Sequence, residues 1–142
     1  MTEVAFHFNL PDKLFYTCRL LRKAANAGMR VLVTADAALL AQLDTTLWTF
    51  SATDFVSHCF INDDATLVAA SAVVLTETTA VSPHQQVLLN LGHTVPAGFA
   101  KFERLIEIVG PNEADAEAAR LRWKHYTAAG YPIKRHDMAQ KA

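Results

Sequence analysis

Apolar and polar positions alternate from the start of the chain. Val4 through Phe8 reads as a β-rich first strand. Asn9 to Asp12 turns the chain and supplies a helix cap. Leu14, Cys18, Leu21 and Ala25 recur at helical spacing to about Ala27, and Gly28 is placed to end that helix. Met29 to Thr34 is a short, nearly continuous apolar strand, as in a sheet covered on both faces. Asp36 caps a second helix with Leu39, Leu40 and Leu43 inward. Leu47 to Asp64 reads as a long connection holding Trp48, Phe50, Phe55 and Phe60. A third strand is expected within Leu67 to Leu75, a fourth over Val87 to Leu91 and a fifth over Leu105 to Val109. Phe99 and Phe102 mark a short helical turn. Asn112 caps the last helix, with Glu113, Asp115 and Glu117 near its positive end and Arg122, Lys124 and His125 toward its negative end. Gly130 ends it, and a loose basic tail with Lys134, Arg135 and Lys141 is expected at 131–142.

Strands alternating with helices imply an α/β sandwich with a mainly parallel sheet, helices on both faces, and right-handed crossovers. A length of 142 residues suits one domain. With 51% hydrophobic and 19% charged residues the chain belongs among packed globular proteins, not disordered ones. The formal net charge of −1 provides no global field toward nucleic acid or anionic lipid, so such contact needs a local patch. The C-terminal quarter holds the candidate. No stretch resembles a signal peptide or reaches the length of a membrane span, so a cytoplasmic protein is expected.

Common chemistries find little support. The turn after the first strand has no glycine, so a dinucleotide fingerprint is missing, and no phosphate-cradling Gly-Lys-Ser/Thr loop occurs. No cofactor is expected. His7, His58, His84, His93, His125 and His136 do not pair at metal-ligand spacing. Cys18 and Cys59 make no disulfide framework. His58 beside Cys59 invites a thiol–imidazole reading, but adjacent residues on an extended segment face opposite ways.

Two surfaces remain. On the last helix Arg120, Trp123, Lys124 and Thr127 share one stripe. An Arg fork, a mobile Lys charge and a broad apolar ring suit an acidic peptide carrying an apolar residue. A solvated helix face with one half-buried ring is the plainer alternative. Trp48 and Phe55 are either ordinary core or an apolar patch for a permanent partner.

Three segments together resemble the chi subunit family of bacterial DNA polymerase III. Gly28 to Val33 followed by Asp36 resembles the family's second strand and helix start. Leu47 and Trp48, with Asp54, Phe55, Val56, Ser57 and His58, resemble its Leu-Trp and Ser-Phe-Val-Pro-His pattern. Arg120, Arg122, Trp123, Lys124 and Tyr126, then Gly130 and Tyr131, resemble its Arg-x-Arg-Tyr/Trp-Lys-x-Tyr stretch and following Gly-aromatic pair. The resemblance implies a Rossmann-like fold without a nucleotide fingerprint and a non-enzymatic adaptor of the clamp loader. It implies two partners, the psi subunit and the acidic tail of single-stranded DNA-binding protein, which ends in Pro-Phe. DNA contact would be indirect and membrane contact absent. Carried over, Arg120, Lys124, Trp123 and Thr127 bind the tail, and Trp48, Phe55, Val56 and Ser57 face psi. Ser57 departs from the family's Pro, and the loop between Phe60 and Leu67 looks short. Two rival readings are a small α/β hydrolase or transferase using His58 or His7, and a direct single-stranded DNA binder using the basic tail.

Overall fold

A computed structural model describes residues 1–50 and 56–140. Seven parallel strands form one sheet: β1 (Glu3–Phe8), β2 (Val31–Thr34), β3 (His58–Phe60), β4 (Val73–Thr76), β5 (Val87–Asn90), β6 (Arg104–Ile108) and β7 (Ile133–Asp137). Their spatial order is β3-β4-β2-β5-β6-β1-β7, and every pairing is parallel. Four α-helices connect them: α1 (Lys13–Asn26), α2 (Ala37–Thr49), α3 (Ala65–Ala70) and α4 (Glu113–Ala128).

β2, β4 and β5 are apolar in all but their last residue because both faces are covered. Strand alternation divides their side chains between two cores. Val31, Val33, Val73, Leu75, Val87 and Leu89 pack with Tyr16, Cys18 and Leu21 of α1 and Leu40, Leu43 and Leu47 of α2. The intervening Leu32, Val74 and Leu88 join Val4, Phe6 and Leu105 against Val68 of α3 and Ala119 and Tyr126 of α4. Asp12, Asp36, Asp64 and Asn112 each cap a helix by accepting a backbone N–H.

The expected α/β architecture is present, with four differences. α2 runs on to Thr49, so Leu47 and Trp48 lie on a helix and not in a connection. Within that supposed connection His58–Phe60 is edge strand β3. The segment expected as a third strand divides into α3 and β4. The expected loose tail contains β7, which pairs along its whole length with β1 from Val4↔Ile133 to Phe8↔Asp137. An edge strand with four charged or titratable side chains among five residues resists pairing with other chains, and in sequence that composition resembles a solvated tail.

Candidate peptide-binding cleft

Where β1 and β6 end, their connections depart in opposite directions, β1 into α1 on one face and β6 into α4 on the other. Such a topological switch opens a crevice beyond the carboxyl ends of the strands. A cleft of about 1050 Å³ occupies this place, between α4 and the β1–β7 edge. Its floor and walls are apolar: Phe6 and Phe8 from β1, Leu10 and Pro11 from the following turn, Val109, Ala116 and Ala119, and Met138 beyond β7. The charged residues lining it are Arg120, Lys124 and Arg135, all cationic, with no carboxylate among them.

Local sequence explains the shape. Asn9 takes φ 58°, a left-handed conformation that Asn tolerates, and its side chain donates to Asp137 Oδ1 at 2.8 Å. The end of β1 is thereby tied to the end of β7. On the other side of the cleft, Gly110 donates its N–H to Asp115 Oδ2 at 2.9 Å. A Cβ at Gly110 would lie 2.7 Å from that oxygen, so any larger residue there would push the Asp115 carboxylate out of place. Asp115 also accepts from Lys13 Nζ at 2.6 Å and from the His93 ring at 2.6 Å. Burial pushes its carboxyl up, but the bonds from Lys13, His93 and Gly110 outweigh that and hold it below its ordinary value.

α4 divides the basic-aromatic motif into two sets. Trp123 lines the cleft and packs on Phe6, ring centroids 5.0 Å apart. Arg120 and Lys124 flank it at the rim. Arg120 has an ion pair with Glu113 at 3.7 Å, but both side chains are largely exposed, so the pair holds it weakly. Arg122 and Tyr126 point inward. Arg122 Nε lies 3.0 Å from Glu107 Oε1, and Tyr126 donates to Glu107 Oε2 at 2.5 Å. Asn90 Nδ2 adds a third donor at 3.0 Å. Burial pushes the Glu107 carboxyl up, and Arg122, Tyr126 and Asn90 offset this only in part, while burial and the Glu107 carboxylate push the Tyr126 phenol up. These inward groups anchor the helix that presents the outward ones.

Of the residues expected to bind an acidic tail, the fold brings Arg120, Trp123 and Lys124 to one cleft. Thr127 is exposed one turn farther along and does not line it. Arg135, Phe8 and Met138 were missed, because their segment read as tail or as sheet interior.

The second expected surface is only partly surface. Trp48 is 60% exposed on α2, its ring edge-on to His58 with centroids 5.0 Å apart. Val56 is 3% exposed and sits in the core, so it is not an interface contact; its carbonyl lies 2.7 Å from His58 Nδ1. Ser57 Oγ accepts from Ala72 N at 2.9 Å, joining the residue before β3 to the residue before β4. Phe55 lies outside the described residues.

The histidines proposed for catalysis have structural partners. His58 Nε2 is 3.1 Å from Asp44 Oδ1, and buried His7 bonds the Tyr16 hydroxyl. His58 and Cys59 point into opposite layers, with Cys59 among the α3–α4 core. A polar cleft of about 770 Å³ lies beyond β2 and β5, but Asp36, Asn90 and Asp115 in its wall are engaged in caps and internal bonds. No group of three or more potential metal ligands occurs among the described residues. No helix among them is long and apolar enough to cross a membrane.

Comparison with known proteins gives a consistent assignment. The family model described as "DNA polymerase III chi subunit, HolC" matches residues 1–134. The chain is also 35% identical over 142 residues to the DNA polymerase III subunit chi of Pseudomonas aeruginosa, covering 96% of each chain.

Proposed function

The chain belongs to the DNA polymerase III chi subunit family, accessory components of a replication holoenzyme, and from that premise we propose that it is a cytoplasmic, non-enzymatic adaptor. One surface joins it to the clamp loader through psi. The other captures the acidic C-terminal tail of single-stranded DNA-binding protein. The observation that carries the second assignment is the α4 cleft, in which three cations and no carboxylate surround an apolar floor with Trp123 as one wall. A chain of net charge −1 has no general excess of cations to place there. Such a cleft suits a peptide that ends in an apolar side chain and carries carboxylates beside it.

The direct DNA-binding reading fits less well. Lys134 and Arg135 project to opposite faces of β7, and Lys134 lies 3.3 Å from Glu3 Oε1, so the segment forms no continuous basic strip. Trp48, exposed on α2, is the proposed anchor for psi, with Phe55 seven residues later in the sequence.

Calorimetric titration of the intact chain with the tail peptide tests the proposal. Saturable binding is expected, weakening with salt and failing for a peptide without the terminal Phe. Binding unaffected by removal of the Phe, or no binding, would refute it.

A further inference from the structure

We propose that Arg135, on edge strand β7, is a specificity-determining residue of the α4 cleft, holding a second carboxylate of an acidic peptide whose first is held by Arg120 and Lys124. This rests on reading the cleft as a peptide site and adds a wall to it.

The register places Arg135 opposite Phe6. Phe6 faces α4 and packs on Trp123, so Arg135 rises on the same side of the sheet. Its neighbours Lys134 and His136 turn to the other side, where they line a separate groove against α1. The Arg135 guanidinium lies over the Phe8 ring, 5.4 Å from its centroid. A cation–π contact with a ring takes up no carboxylate partner, so the guanidinium N–H groups remain available to meet one. Among the described residues Arg135 has no ion pair. The nearby Asp137 carboxylate accepts from Asn9 Nδ2 at 2.8 Å and from Ala139 N at 3.1 Å. The positive charge of Arg135 is thus directed at the cleft.

The consequence is a two-walled charge array, with α4 providing two cations and β7 the third. A cleft of about 1050 Å³ is much larger than one carboxylate group. A peptide with only its terminal carboxylate engages α4, whereas one with further acidic residues engages both walls. Arg135 therefore sets the preference for a multiply acidic peptide, and its contribution vanishes when only the terminal charge remains.

Two synthetic peptides ending in Phe test this, one with acidic residues upstream and one with those residues amidated to Asn or Gln. Each is titrated into the intact chain as wild type, Arg135→Gln, Lys134→Gln and Arg120→Gln, with melting temperatures measured in parallel. Arg135→Gln is expected to weaken the acidic peptide about fivefold and leave the amidated one unchanged, as for an exposed charge pair. Lys134→Gln should alter neither. Equal loss on both peptides, or no loss on the acidic one, overturns the role of Arg135. A normal effect of Arg120→Gln beside an inert Arg135→Gln confines that failure to the second carboxylate. Wild-type chain that ignores both peptides, or Arg120→Gln without effect, overturns the cleft reading itself.

Discussion

Arg122 and Glu107 form a buried ion pair, Nε to Oε1 at 3.0 Å, with side chains 3% and 0% exposed. The pair joins α4 to β6 at Glu107, the register partner of the cleft residue Phe6. Taking two charges out of water is costly, and here it is offset by further bonds: Tyr126 and Asn90 donate to the carboxylate, and Arg122 Nη1 donates to the His93 carbonyl at 3.2 Å. The arrangement fixes the rotation of α4, and with it the direction in which Trp123 and Arg120 point.

The corresponding prediction concerns stability. Arg122→Met leaves Glu107 buried without its cation and should cost about 3–5 kcal/mol, measured by urea denaturation. The double variant Arg122→Met, Glu107→Leu should recover part of that loss. If Arg122→Met unfolds at the wild-type midpoint, the pair does not anchor the helix.

The cleft rim predicts a graded effect on peptide binding. Arg120 provides a fork to a carboxylate, a class of contact worth about 1.5–3 kcal/mol. Arg120→Ala should weaken the acidic tail peptide about tenfold, with folding intact because the side chain is largely exposed. Lys124→Ala should act the same way to a smaller extent, since a point charge lacks the fork. Calorimetry that finds both variants at wild-type affinity would remove α4 from the site.

Asp115 predicts how stability falls in acid. Its carboxyl is held below the ordinary value, so the unfolded chain binds the proton first as pH drops. Its stabilising contribution is complete above the unfolded carboxylate range, about pH 3.9, and is lost as pH falls through the lower folded value. Asp115→Asn should therefore be about 1.5–3 kcal/mol less stable at neutral pH. The gap should narrow steadily below about pH 4. A gap of constant size down to the acid limit would show that shape, not charge, is what Asp115 contributes.

Much of this molecule was legible in its pattern, and the exceptions have physical causes. β2 and β5 are nearly apolar runs, β6 keeps three apolar residues among five, and α1 and α4 carry caps and long periodic faces. α3 has six residues, Ala65–Ala70, too few for a 3.6-residue period to show against a neighbouring apolar strand. β3 is three residues long, and β7 is a polar edge pairing on one side only, so neither has a hydrophobic signature. Arg120, Trp123 and Lys124 could be grouped because one helix carries them all. Arg135 could not, since its place in the cleft depends on pairing with β1 across more than a hundred residues. Val56 was misplaced for a related reason: an apolar residue in an aromatic-rich connection gives no sign of which way it turns, and this one turns inward.

Trp48 separates surface from core. It is 60% exposed on α2, and its contact with His58 is edge-on, so truncation should leave the interior packed. Aromatic anchors of permanent interfaces are often worth 2 kcal/mol or more (order of magnitude). Trp48→Ala should then strongly reduce co-purification with psi and leave tail-peptide affinity unchanged, because α2 packs on the sheet face opposite α4. A structural role for the ring makes a different prediction: a loss of about 3–5 kcal/mol, seen in thermal melting, with both binding assays impaired together. His58 provides a further check, because its buried ring supports Trp48 and is bonded to the Val56 carbonyl. His58→Ala should disturb the fold where Trp48→Ala does not. A Trp48→Ala variant that stays folded and still captures psi would show that the partner docks elsewhere.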